Sequence, residues 1–197
     1  MKLTVWIKSR AADRALAPLR KELLELIDQD SSIIEIGCGT GDLIFQSASK
    51  IRSGYGVDLD RDLINYADGK RQEKELNHIT FECINALNLS NLKCDIATST
   101  LCLHELCEKD ACNLLKMMVD ISKKVLIADY TKANSFSGKI SIEIDEFISG
   151  HYGNYKRYRK NGEIPSYVSK VGAKINSVQA STVDGISIWV ISSKINV

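Results

Sequence analysis

The chain has no CxxC pair, no sizeable charge excess, no internal repeat and no membrane-length apolar run at its start. Each absence excludes something. The six cysteines (Cys38, Cys83, Cys94, Cys102, Cys107 and Cys112) lack the close spacing of a zinc site, and nothing marks an extracellular disulfide framework. They read as reduced thiols, and no metal is expected. A formal net charge of +1 gives no global pull toward nucleic acid or an anionic membrane. The opening "MKLTVWIKSR" offers only a short apolar run before Lys8 and Arg10, too little for a signal peptide or a membrane span. The expected location is cytoplasmic.

What is present is enough apolar material, 44% of 197 residues, for one well-filled core. The expectation is a single domain over residues 1–197, with a helical N-terminal segment over 1–30. In "AADRALAPLRKELLELID", Leu16, Leu19, Leu23 and Ile27 recur at helical spacing, with Pro18 marking a kink or a late start. Short β-rich runs then alternate with helices: "SSIIEI", "GYGVDL", "ITFECI", "CDIATST" and "KKVLIADY" as strands, helices between. That alternation implies a parallel sheet with crossover helices. Near the end, "AKINSVQA" and "GISIWVISSK" are separated by only "STVDG", which allows an antiparallel hairpin and no crossover. The fold class is α/β: a doubly wound, mostly parallel seven-stranded sheet with an antiparallel C-terminal strand and helices on both faces.

One stretch asks for a functional explanation. "IIEIGCGTGDL" places Gly37, Gly39 and Gly41 directly behind an apolar strand, although glycine inside an element costs roughly 0.5–1 kcal/mol against alanine. In doubly wound sheets ligands sit beyond the carboxyl ends of the strands, where strand order reverses. The dinucleotide fingerprint is G-x-G-x-x-G, with pyrophosphate on the helix N-terminus. Here the spacing is G-x-G-x-G, and Asp42 at the helix start would repel a pyrophosphate. The implied ligand is a nucleoside without phosphate.

These residues resemble the class I S-adenosylmethionine-dependent methyltransferases, with a Rossmann-like sheet, over nearly the whole chain. The resemblance implies S-adenosylmethionine (SAM) as cofactor and S-adenosylhomocysteine (SAH) as its product. It assigns Glu35 to the methionine end and Gly37, Cys38, Gly39 and Gly41 to the loop along the cofactor. Asp58, ending "GVDLD", falls where the family holds the ribose hydroxyls; charged acceptor bonds there contribute roughly 1.5–3 kcal/mol each. NAD-binding proteins use a similar acid, and Asp58 also reads as a helix cap. Leu59 would face the adenine. Asn85 and Ala86 match the family's adenine contact, and Ser99, Thr100 and Leu101 would line the methionine and the transferring methyl. Neither an N/D-P-P-Y/F motif nor a Pro-Cys pair follows the fourth strand, which argues against a nucleic-acid methylase.

For chemistry, the resemblance implies that orientation matters most, since alignment alone reaches effective molarities of about 10⁵–10⁸ M. A hydroxyl acceptor also needs a base. His104 is the first candidate, with a structural helix-start role as the alternative; Tyr130 would flank the acceptor. Residues 134–170 are expected to form a helical acceptor-side lid. Within it, "GHYGNYKRYRKNG" places His151, Tyr152, Tyr155 and Tyr158 among Lys156, Arg157, Arg159 and Lys160. That composition suits an aromatic or anionic small-molecule acceptor, a solvated helix whose tyrosines pack down, or a nucleic-acid contact. Arg10 or Arg14 could meet the methionine carboxylate. The expected reaction is methyl transfer to O or N of a small molecule by a monomer or homodimer. The alternatives are a SAM-binding protein without chemistry, a regulatory partner, or a NAD-type oxidoreductase.

Overall fold

The computed structural model describes residues 13–89, 92–133, 135 and 152–194. Helix α1 (Ala17–Leu26) is separated by a turn at Leu16 from the helical residues 13–15, with Pro18 in its first turn, where a missing N–H is harmless. It buries Leu19 and Leu23, and Ile27 follows them into the core. Strand β1 (Ser32–Ile36) leads to the short α2 (Asp42–Ser47), β2 (Ser53–Asp58), α3 (Arg61–Glu73) and β3 (Ile79–Cys83). Then come β4 (Cys94–Thr100), α4 (Glu108–Ile121) and β5 (Ser122–Tyr130). Helices α5 (Tyr152–Lys160) and α6 (Glu163–Lys170) precede β6 (Ala173–Ala180) and β7 (Ile186–Ser193). The stretch "SGKISIEIDEFIS", expected to be helical, lies outside the described residues.

The strands form one sheet in the order β3-β2-β1-β4-β5-β7-β6. All pairings are parallel except those of β7, which runs antiparallel to both β5 and β6. The expected hairpin is there, and its second strand is inserted one place inside the sheet edge. Near-continuous burial along β1, β4 and β5 shows the sheet covered by helices on both faces, which is why these strands read as unbroken apolar runs.

Two local devices hold the frame. Asp60 caps α3, its carboxylate accepting from the N–H groups of Asp62 and Leu63. Beside the starts of β1 and β5, Asp95 accepts from the Ser32 N–H and hydroxyl, Arg52 and Lys123. The Lys123 ammonium and these other donors hold its carboxyl well below the usual carboxylate range.

Candidate active site

At the opposite ends of the strands, the sheet order reverses between β1 and β4, which is where doubly wound sheets carry a ligand crevice. The glycine loop lines it. The N–H groups of Gly37 and Cys38 both donate to the Val57 carbonyl, at 2.9 and 3.1 Å, tying the loop to β2. Gly41 then donates to Cys38 O at 2.8 Å and ends in a left-handed conformation, φ +72°, as the N-cap of α2. A Cβ at Gly41 would lie 2.5 Å from the Phe81 ring. Gly41→Ala therefore combines backbone strain with overpacking and should cost about 2 kcal/mol in urea unfolding. A loss under about 0.5 kcal/mol would reject this account of the glycine.

Gly39 differs. Its φ is +53°, and a Cβ there would meet nothing within 4 Å. The loop thus turns a bare backbone toward open space. Asp58 is fixed beside it: one carboxylate oxygen accepts from Gly39 N at 2.8 Å, the other from Asp60 N at 2.9 Å. An ionised carboxylate offers about four lone-pair sites, so capacity for two hydroxyls remains. Leu59 next to it is 70% exposed, as a residue at the rim of a crevice is. Ile84 N donates to Asp58 O, which brings Asn85 and Ala86 to the mouth of the same crevice. Asn85 uses its side-chain oxygen to cap the following 3-10 turn at Leu87.

Inside the crevice, Glu35 is fully buried, and its carboxyl is pushed up to about 7, chiefly by burial. Its neighbour is Arg20, which no sequence argument singled out. Arg20 Nη1 stands 3.7 Å from Glu35 Oε1 and donates to Thr100 Oγ1 at 2.9 Å. The signal was legible: Leu16, Arg20, Leu23 and Ile27 share one helix stripe, and an arginine on an apolar stripe needs a buried partner. Arg14 is exposed, and Arg10 lies outside the described residues. Ser99 donates to Ile36 O and staples β4 to β1. Leu101, just past the end of β4, takes a left-handed turn, φ +51°. The Cys38 and Cys102 thiols, beside the loop, are both pushed up by burial, Cys102 to about 12, and are not nucleophiles.

On the other side of Leu101, a 3-10 turn (Leu103–Glu105) presents His104 to Asp129 near the end of β5. His104 Nδ1 lies 2.5 Å from Asp129 Oδ1, and Asp129 also accepts from the N–H groups of Leu103, His104 and Tyr130. Nδ1 is the ring nitrogen that faces this carboxylate, so with Nδ1–H donating to it the imidazole lone pair is on Nε2. Asp129 was missed in the sequence, although an acid inside the run "VLIADY" demands a partner. The His104 ring lies 4.6 Å from Tyr130 and edge-on to Tyr155 and Tyr158, while Tyr158 donates to the Tyr130 carbonyl. Tyr155 and Tyr158 share a face, as their spacing predicted, but that face is buried against His104 and Tyr130. Tyr152 is half-buried under the Lys156 ammonium, and His151 lies outside the described residues.

The sequence matches the profile of the methyltransferase-domain family over residues 27–147, more than half of the chain. The chain belongs to that family. It is a class I SAM-dependent methyltransferase domain by sequence, and its sheet is the Rossmann-like sheet of that class. No curated protein sequence matches it significantly. Among solved structures it is similar to the mitomycin 7-O-methyltransferase MmcR, with TM-score 0.74 and 14% identity, covering 91% of this chain and 54% of that one. It also resembles a SAM-dependent methyltransferase from Aquifex aeolicus, with TM-score 0.67 and 14% identity, over 96% and 99% of the two chains. A third is the magnesium protoporphyrin IX methyltransferase of Synechocystis, bound to SAH, with TM-score 0.66 and 15% identity, over 93% and 83%. This methyltransferase domain thus spans about half the length of MmcR and nearly all of the Aquifex protein.

Proposed function

We propose that this chain transfers the methyl group of SAM to an oxygen or nitrogen of a small-molecule acceptor. The observation that supports it is the bare Gly39 backbone facing open space, with the Asp58 carboxylate fixed alongside by the Gly39 N–H. A phosphate-free nucleoside fits that surface: main chain close enough for a flat base and ribose, an acid for the two hydroxyls, and Asp42 set against any pyrophosphate.

When bound, SAM supplies a methyl group already activated on a positively charged sulfur. What the chain contributes is alignment and proton handling. Gly37, Gly39 and Gly41 keep the loop flush, Asp58 would hold the ribose, and Leu59, Asn85 and Ala86 would border the adenine. Glu35, with Arg20, Thr100 and Leu101, would receive the amino-acid end. His104, oriented by Asp129, is the group to take a proton from an acceptor hydroxyl through Nε2, with Tyr130 beside it. The segment over 134–170 is the acceptor side. Its buried Tyr155 and Tyr158 pack on His104, and the Lys156 ammonium over the Tyr152 ring would meet an aromatic or anionic acceptor.

Calorimetry with SAM and SAH tests the donor assignment; no binding by either at millimolar concentration overturns it. Asp58→Ala should weaken both by well over tenfold, since two charge-assisted hydrogen bonds are lost. An unchanged affinity would reject the ribose contact.

A further inference from the structure

The turn that carries His104 is weakly built on its own. It is a single 3-10 turn, Leu103–Glu105, closed by two long bonds, Glu105 N to Cys102 O and Leu106 N to Leu103 O, both 3.2 Å. No side chain caps its start. A turn of this kind has poor internal hydrogen-bond geometry and takes its shape from what it is tied to. Asp129 ties it to the sheet, through the Leu103 and His104 N–H groups and the His104 ring.

A second tie comes from α5. Asn154 Nδ2 donates to the Glu105 carbonyl, one residue past His104, at 2.7 Å. The Asn154 amide has one orientation there, because its Oδ1 accepts from Arg157 Nη1 at 2.8 Å. A flipped amide would set oxygen against a carbonyl and nitrogen against a guanidinium, losing both bonds. Four residues on, and so on the same helix face, the Tyr158 ring lies 6.2 Å from that of His104. Its hydroxyl donates to the Tyr130 carbonyl at 2.7 Å. Tyr130 N–H in turn donates to Asp129 Oδ1, the same oxygen that faces His104 Nδ1. Asn154 therefore grips the histidine half of the pair and Tyr158 the aspartate half. Tyr155, between them, stands edge-on to both His104 and Tyr130.

Resting on the reading of His104 as the base, we propose that Asn154 and Tyr158 are positioning residues: from the acceptor-side helix they hold the His104–Asp129 pair in register and keep the Nε2 lone pair aimed at one place. They act through two backbone carbonyls, those of Glu105 and Tyr130, and not on the reacting atoms. The same helix that would meet the acceptor thus sets the direction of the group that takes its proton.

The test is nitrogen-15 NMR of the imidazoles in the full chain, which has three histidines; His104→Gln assigns the His104 signals. At about pH 8.5, above the ordinary imidazole value of about 6.5, wild-type His104 should show one tautomer, with a slowly exchanging proton on Nδ1. Asn154→Asp keeps the shape and the Arg157 contact but puts an acceptor oxygen where the N–H was. Tyr158→Phe keeps the ring and removes the hydroxyl. Each should speed exchange of the Nδ1 proton by about tenfold, and Asn154→Asp should also populate the second tautomer. A residue serving only the packing of α5 would leave both signatures unchanged in variants of the same shape. The two variants release opposite halves of the pair, so either one that folds decides the question. SAM affinity by calorimetry should stay within about twofold of wild type in both, as expected of distant sites. Unchanged tautomer and exchange overturn the inference and leave the base assignment standing, and a larger loss of SAM affinity also overturns it. A wild-type His104 that carries a proton on Nε2 removes the base assignment and this inference with it.

Discussion

Replacing Asp129 with alanine is expected to lower folding stability by about 3–5 kcal/mol, the largest effect of any single change considered for this chain. The carboxylate is fully buried and accepts from three backbone N–H groups besides the His104 ring. Alanine removes the acceptor these four donors share, and a buried group orphaned in this way carries a desolvation cost of about 1–3 kcal/mol, part of which water entry relieves. His104→Ala removes only one of the four and should cost less. Urea unfolding of the two variants checks the ordering. If Asp129→Ala lost under about 1 kcal/mol, the pair would be an accessory of the turn and not its anchor.

The second large effect depends on pH. Glu35 has a folded-state pKa of about 7 against an ordinary 4.5. Below the ordinary value the group is protonated in both states and contributes nothing to the difference. Between the two values the unfolded chain loses its proton while the folded chain keeps it, so rising pH favours unfolding. Above about 7 the full penalty is present, on the order of 3 kcal/mol. Without ligand, wild-type protein should therefore lose stability between about pH 5 and pH 8, and Glu35→Gln should flatten that slope. Asp68, Asp95 and Glu108, all held low by cationic partners, act in the opposite sense and only at more acid pH. Parallel slopes for the two proteins would show that Glu35 is not the titrating group.

Much of the frame was legible because its signals are local. Strands β4 and β6 match their expected limits, residues 94–100 and 173–180, where an apolar or β-branched run is bounded by polar turns. The glycine loop was legible for the same reason. Helix α3 was read three residues too long, through Leu76 instead of Glu73. It stops at a left-handed Glu75, φ +54°, where no glycine or asparagine announces the turn. Helix α2 was read as running to Ile51 and ends at Ser47, with the Ala48 N–H folding back to Phe45 O. The site residues that escaped are those whose meaning lies in distant partners. Arg20 is 80 positions from Thr100, and His104 is 25 from Asp129. A buried charge is visible in sequence only as a misfit on an apolar face, and its partner is not visible at all. For α5, spacing placed Tyr155 and Tyr158 on one face but did not say that His104 would occupy what that face covers.

The interior place of β7 has a consequence for how the chain is made. Strand β6 is synthesised first but touches the parallel set only through β7, so it cannot join the sheet before β7 does. Until both have left the ribosome, β5 presents an unpaired edge along Val125–Tyr130, six residues that are all buried in the finished protein. A bare apolar edge of that length is a template for pairing with other chains. The nascent polypeptide is thus most vulnerable to aggregation in the interval between the emergence of Tyr130 and that of Ser193.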